Sequence, residues 1–339
     1  MITLADAHLN ALEDLDHLVI DEFRKSSWLL DNLSFHDAVN PAGGGATLSY
    51  TYLRTVHERP ANFRPYNTEY AVAEAKRQKY GVELAPLGGA FEIDRVLANV
   101  GPAATNEVTF QMQQTIKSAR AFFADQVING IRVRTPEHEM GEQGFDGLDF
   151  ALAGSSTELG VGEVTDWTGP AMDTRAEIHQ ALDLLDELVS TVDDTPSAIL
   201  GNKRTIARVR SLARRSGYYT RAEDAFGRPV EQYNGIPFVD LGARAGCSDP
   251  VIGVESRVID TDGDGTGATV PGLSDLYVVR LGLDGFHGVS TAGGQLVRQW
   301  LPDFDTAGAV KRGEVELGPV AVVLKATKAA AVLRNIRVR

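Results

Sequence analysis

Two hydrophobic periods alternate along this chain, and the switches between them mark its elements. From about residue 4 to 33, Leu12, Leu15, Val19 and Phe23 recur three and four apart with acids between them, the stripe of an amphipathic helix. Pro41 and the run Gly43 to Gly45 end that segment as a hinge. "TLSYTYLRTV", residues 47–56, alternates by twos and is rich in Thr, Tyr, Leu and Val, which predicts a strand. "HERPANFRPYN" has two prolines and no helical period and reads as an exposed turn. "TEYAVAEAKRQKYGVEL" runs back, so the three stretches form a long hairpin with a polar, aromatic tip. A hairpin alone is marginal in water, and this arm calls for a partner surface.

A second helical stripe follows from Pro102 to about Asn129, through Val108, Met112, Ile116, Ala119, Phe123 and Val127. Pro102 suits a helix start and Asn129-Gly130 a stop. Such a helix is roughly 40 Å long and acts as a strut. Residues 131–172 are glycine-rich with short strands. Thr174 and Glu177 form a capping box for a helix whose apolar face is Ile178, Ala181, Leu182, Leu185, Leu188 and Val189. "SAIL" predicts a buried strand, "NKRTIARVRSLARRSG" a basic helix and "YNGIPFVDL" a turn and strand. Residues 174–241 thus alternate helix and strand as a compact α/β unit. Further on, "DLYVVRLGL" and "GPVAVVLKA" predict strands within loop-rich sequence.

Composition narrows the function classes. Net charge is -13 over 339 residues, which does not fit nucleic-acid binding by bulk electrostatics. Cys247 is the sole cysteine, so no internal disulfide forms, as in a reducing cytoplasm. The N-terminus lacks the basic start and apolar core of a signal peptide, and no apolar run approaches membrane-spanning length; no membrane partner is expected. No phosphate-cradling loop, dinucleotide fingerprint, nucleophile elbow or zinc-ligand spacing is present. No catalytic residue and no cofactor is therefore assigned.

Two local clusters remain. "DTDGDGTG" places Asp260, Asp262 and Asp264 at the first, third and fifth positions of a calcium loop, with Gly265 at the sixth. The twelfth position is Pro271 rather than a bidentate Glu, and no helical period flanks the loop. An acidic, glycine-rich surface turn explains the stretch more simply. The basic helix carries Lys203, Arg204, Arg208, Arg210, Arg214 and Arg215. It faces nucleic acid, a neighbouring subunit, or solvent.

The order of parts resembles the major capsid protein of tailed bacteriophages, whose Hong Kong 97-like fold is shared with encapsulin shells. "HERPANFRPYNTEY" resembles the tip and return of that family's extended loop, and "LGGAFEIDRVLANVG" its re-entry before the spine helix. "FDGLDFALAGSSTE" resembles the segment between peripheral and axial domains. "NKRTIARVRSLARRSGYY" with "GRPVEQYNGIPFVD" is similar to the axial helix, turn and strand, and "ELGPVAVVLKATKAAAVLRNIRV" to the closing strands. The resemblance implies an α+β fold with an N-terminal arm (1–45), an extended loop (46–90) and a peripheral domain (91–173) with its spine helix over 102–129. An axial domain (174–300) and a return to the peripheral domain (301–339) would follow. It further implies a non-enzymatic subunit that forms hexamers and pentamers around double-stranded DNA, in a virion assembled in the bacterial cytoplasm.

Arg59, Pro60, Phe63, Arg64, Pro65 and Tyr66 at the loop tip are the expected intersubunit contact. The loop's leading strand starts near residue 47, which points to a separate scaffolding protein. A portal and, where one is used, a decoration protein are the other expected partners. No lysine–asparagine crosslink through Lys76, Lys79 or Asn335 is expected. An encapsulin-like compartment and a calcium-binding module are the alternatives. Calcium calorimetry separates the last: no binding heat is expected, and tight binding abolished by replacing Asp260, Asp262 and Asp264 with Ala would revive it.

Overall fold

The structure, a computed structural model, describes residues 28–39, 45–98, 103–132, 144–216, 221–223, 229–260, 267–291 and 296–339. Of the segment expected to form an N-terminal helix, the described residues include α1 (Trp28–Asn32). The expected stripe of Leu12, Leu15, Val19 and Phe23 lies outside the described residues, as do Pro41, Gly43 and Gly44. The other helices are α2 (Arg95–Ala98), α3 (Ala103–Asn129), α4 (Leu148–Leu152), α5 (Arg175–Ser190) and α6 (Lys203–Ser216).

The architecture is α+β, with two packed sheets and one protruding hairpin. The hairpin is β2 (Ser49–His57) and β3 (Lys76–Glu83), antiparallel from Ser49↔Glu83 to His57↔Lys76. In the first sheet, β15 (Val310–Leu324) pairs with β4 (Ala85–Asp94), β13 (Phe286–Thr291) and β14 (Val297–Trp300), and β1 (Phe35–Ala38) joins β13 in parallel. In the second, β16 (Ala330–Arg337), β12 (Ala268–Val279) and β7 (Ala198–Gly201) lie side by side. Outward from β7 come β10 (Ile236–Val239), β9 (Pro229–Tyr233) and β8 (Arg221–Glu223). The short β5 (Glu158–Leu159) and β6 (Thr165–Asp166) pair with β16, and β11 (Glu255–Ile259) with β12. These partnerships cut across residue 300, because β13 and β14 join β15 while β16 joins β7 and β12.

Local chemistry explains each element. α3 buries Met112, Phe123 and Val127 and half-buries Val108, Ile116 and Ala119, so the apolar stripe faces the first sheet. It stops at Gly130, where a Cβ would come within 2.5 Å of the Phe145 carbonyl. α5 starts with a complete capping box: the Glu177 amide donates to Thr174 Oγ1 at 3.3 Å, and the Thr174 amide donates to Glu177 Oε2 at 2.8 Å. β9 and β10 are joined through Asn234 and Gly235, both with positive φ (50° and 82°), as a two-residue hairpin turn of this twist requires.

The second sheet is a wall shared by two cores. Ala198, Leu200, Tyr277, Val279, Ala330 and Val332 face one core with α3, α4 and the first sheet. Ile199, Leu276, Val278, Ala331 and Leu333 face the other, under α5 and α6. The period of two along each strand assigns its residues alternately to the two cores. This is why "SAIL" and "LYVV" read as continuous apolar runs.

One polar cluster interrupts that wall. Asp275, 4% exposed, accepts from both terminal nitrogens of Arg257 at 2.7 and 2.8 Å and from the Asn335 amide at 3.0 Å. Arg334 donates from Nε to Glu158 Oε1 at 2.8 Å and from Nη1 to Asp149, with Asp275 Oδ2 at 3.5 Å. The Tyr277 hydroxyl donates to Asp149 Oδ1 at 2.7 Å. Burial, with Asp275 and Asp149 nearby, pushes Tyr277 far above the ordinary tyrosine value, keeping it a neutral donor. Burial works against the Arg334 charge, but the Asp149 and Asp275 carboxylates outweigh it and hold its pKa up. The β12–β16 pairing shifts register between Ser274 and Leu276, and Asn335 takes φ of 57° beside it. Asp275→Ala would take the carboxylate from the Arg257 guanidinium and one of three acids from around Arg334, and is expected to cost on the order of 3 kcal/mol in denaturant unfolding of the purified chain. Arg312→Ala, which breaks an exposed pair with Glu314, should cost less than about 0.5 kcal/mol. Equal costs would contradict the assignment.

Candidate functional site

The feature best placed to act on something outside the chain is the hairpin and its tip. Between β2 and β3, residues 58–75 contain no helix or strand, and every residue from Thr55 to Val72 is exposed. Phe63 and Tyr66 are 105% and 96% exposed, so their rings touch almost nothing of their own chain. Large apolar rings in full contact with water have no stabilising role in the isolated subunit. Arg59, Pro60 and Pro65 are exposed beside them. Arg64 is turned partly inward: its Nη1 donates to the Thr68 carbonyl at 2.9 Å and its guanidinium lies 5.2 Å from the Tyr70 ring. Thr68 Oγ1 donates to the Pro65 carbonyl at 2.8 Å, and Asn67 takes φ of 61°. The tip is therefore organised by its own hydrogen bonds while it presents Phe63 and Tyr66 outward.

The root of the hairpin is docked on the first sheet. Tyr50 and Tyr52 stack at 6.2 Å, and Tyr52 and Tyr80 at 5.6 Å. Arg54 lies 4.6 Å from the Tyr80 ring centre and donates to the carbonyls of Leu324 at 2.6 Å and Lys325 at 3.2 Å. The Tyr52 hydroxyl donates to the Leu324 carbonyl at 3.2 Å. Burial raises the pKa of Tyr50, and it is the main cause raising that of Tyr52. Beneath them, His287 on β13 is 0% exposed, and among the described residues neither ring nitrogen makes a hydrogen bond of ordinary geometry. Its ring lies 6.1 Å from Tyr50 and 6.3 Å from His36. Burial pushes its pKa below the ordinary histidine value. The Gly285 backbone and Asp284 oppose that shift; Lys325 and His36 reinforce it.

The other residues singled out in the sequence are scattered. On α6, Lys203 pairs with Asp240 at 3.4 Å, Arg208 Nε donates to the Val338 carbonyl at 3.1 Å and Arg215 Nη1 to the Met172 carbonyl at 2.6 Å. Arg210 pairs with Glu231 at 2.5 Å. Arg204 and Arg214 are exposed and make no ion pair among the described residues. Asp260 is exposed at the end of β11, while Asp262 and Asp264 lie outside the described residues. Among the described residues no group of three or more His, Cys, Asp or Glu side chains could hold a metal ion, and no helix is long and apolar enough to cross a membrane. A groove of about 510 Å³ lies between α5, α6 and the β9–β10 turn, with Asp183, Asp186, Arg210 and Tyr233 in its walls.

Sequence reasoning passed over two groups. Asp275 stands alone as an acid in "LSDLYVV", and His287 sits in the strand "FHGVST". A polar residue inside an apolar strand was the available signal in both cases.

No protein-family model matches this sequence, and no curated protein matches it. Solved structures do. The SrpI encapsulin of Synechococcus elongatus PCC 7942 superposes with a TM-score of 0.58 at 15% identity, covering 100% of this chain and 96% of the encapsulin. The capsid of a native GTA particle gives 0.52 at 14% identity over 92% and 90%. The mature capsid of bacteriophage PhiM1 gives 0.53 at 12% identity over 96% and 91%. The likeness runs nearly end to end, and the chain has the fold of these shell proteins, the Hong Kong 97-like fold.

Because the His287 pKa is lowered in the fold, its contribution to stability is fully present above the unfolded histidine value of about 6.5 and is lost as pH falls below it through the lowered folded value. Unfolding of the purified chain should show stability declining as pH drops below about 6.5, and His287→Leu should remove that decline. Identical slopes in both proteins would contradict the assignment.

Proposed function

We propose that this chain is the major capsid protein of a tailed bacteriophage. Its copies associate into hexamers and pentamers and close into an icosahedral shell around double-stranded DNA. The observation that carries this is the hairpin: an arm rooted by Arg54 and Tyr52 that projects an ordered tip with Phe63 and Tyr66 in water, on a body with a shell-protein fold. Aromatic rings beside arginine are the composition of intersubunit contacts. In this reading the tip lies across the neighbouring subunit, with Arg59, Pro60, Phe63, Arg64, Pro65 and Tyr66 as the contact.

The remaining assignments follow the same frame. α3 serves as the spine helix of a peripheral domain, and α5, β7, α6 and β10 belong to an axial domain near the capsomer centre. The first sheet, with β14 and β15, belongs to the peripheral side. A separate scaffolding protein, a portal and, where one is used, a decoration protein are the partners. The acidic chain fits a wall that need not attract DNA strongly, since packaging is driven from outside the subunit. A second reading, a protein compartment, is favoured by the end-to-end likeness to the SrpI encapsulin. The contents of purified particles, DNA or a protein cargo, distinguish the two.

Electron microscopy and size-exclusion chromatography of the purified chain test the proposal. Closed polyhedra, tubes or rings of five and six are expected, and a chain that stays monomeric with and without its scaffolding partner would overturn it. Deleting residues 58–67 should leave the subunit folded, with a melting temperature within about 4 °C of the parent, but abolish closed shells. Normal particles from that variant would remove the tip assignment.

A further inference from the structure

We infer that α5 of one copy and α6 of the next form a head-to-tail, charge-paired contact; this rests on the shell reading above. The two helices have opposite charge. α5 carries four acids against one base, whereas α6 carries six bases and no acid. Both lie over the same core on one face of the second sheet, so their outer faces stand side by side on one surface. Yet among the described residues no ion pair joins α5 to α6 within the chain.

Each outer face is also unfavourable by itself. Asp183 and Glu187 are exposed one turn apart on α5, and like charges at that spacing destabilise a helix. Arg210 and Arg214 repeat the pattern with the other sign on α6. Arg210 is relieved by Glu231 at 2.5 Å, but among the described residues Arg214 has no acid partner, and Arg204 stands exposed at the other end of the helix. In a ring, α6 of one neighbour covers the α5 acids and α5 of the other neighbour covers the α6 bases, so two further copies of the same chain together supply the counter-charges. Because the α5 patch of one copy meets the α6 patch of the next, the contact is heterologous, and repeated about an axis it generates a ring rather than a pair.

Charge reversal tests this on the full-length chain, with thermal melting to confirm folding. Arg204→Glu with Arg214→Glu, and separately Asp183→Lys with Glu187→Lys, should each lower the assembled fraction at least about tenfold. The quadruple variant, in which every copy presents both reversed faces, should recover assembly. Wild-type assembly should weaken as salt rises from about 0.1 M to about 1 M, where the screening length shrinks to roughly 3 Å. Wild-type shells with both reversed pairs unaffected overturn the contact and leave the shell reading intact. A quadruple variant that folds but does not recover also overturns it, as does salt-sensitive association that stops at a dimer. Loss of a short double-stranded DNA probe from the Arg204 and Arg214 variant, with assembly unchanged, would assign that face to nucleic acid instead. A wild-type chain that never assembles removes the shell reading and this contact together.

Discussion

The cluster of Arg257, Arg334, Asp149 and Glu158 around the buried Asp275 is the constraint around which the body is arranged. It ties β11, β12, β16, β5 and α4 together at a point where an unpaired charge would be severely penalised. A hydrophobic replacement could fill the space, but it would not define which residue of β12 meets which residue of β16. The Asp275 carboxylate does so by taking the Asn335 amide and both nitrogens of Arg257. The register break at Ser274–Leu276 and the left-handed backbone at Asn335 are held in place by those bonds. Since β12 and β16 form the wall between the two cores, a slip there would exchange the residues facing each.

The hairpin presents the opposite problem. A two-stranded ribbon with an exposed tip gains little from its own contacts, so its direction must be set at the root. The stacked Tyr50, Tyr52 and Tyr80 and the Arg54 bonds to Leu324 and Lys325 fix that root against the end of β15. Below them, His287 is buried and makes no hydrogen bond of ordinary geometry among the described residues. The body is thus over-determined by paired charges, while the arm depends on a few polar anchors.

Much of the fold was legible because local rules and global packing agreed. The α3 stripe, the Thr174–Glu177 capping box and the Asn234–Gly235 turn each follow from residues near one another in the chain. The "TLSYTYLRTV" strand and its returning partner were legible for the same reason, although the strands run Ser49–His57 and Lys76–Glu83. For the candidate site, the exposed aromatic tip was readable from prolines and aromatics in a stretch without period. What was hidden was the inward turn of Arg64 toward Thr68 and Tyr70, and the use of most of the α6 cations within the chain. Both depend on which acceptors happen to lie nearby in space.

By itself, then, the sequence determined the periods, caps and turns, and with them the helices, strands and hairpin of an α+β chain. Those features are set by backbone geometry and by interactions within a few residues. Only the tertiary structure decided that β16 lies beside β12 and that β13 and β14 lie beside β15. It likewise decided that Asp275 meets Arg257 and Arg334, and that His287 lies under the hairpin. These pairings join residues up to more than two hundred positions apart, such as Tyr50 and His287. No local period encodes them, because they are selected by which faces can be buried together without stranding a charge.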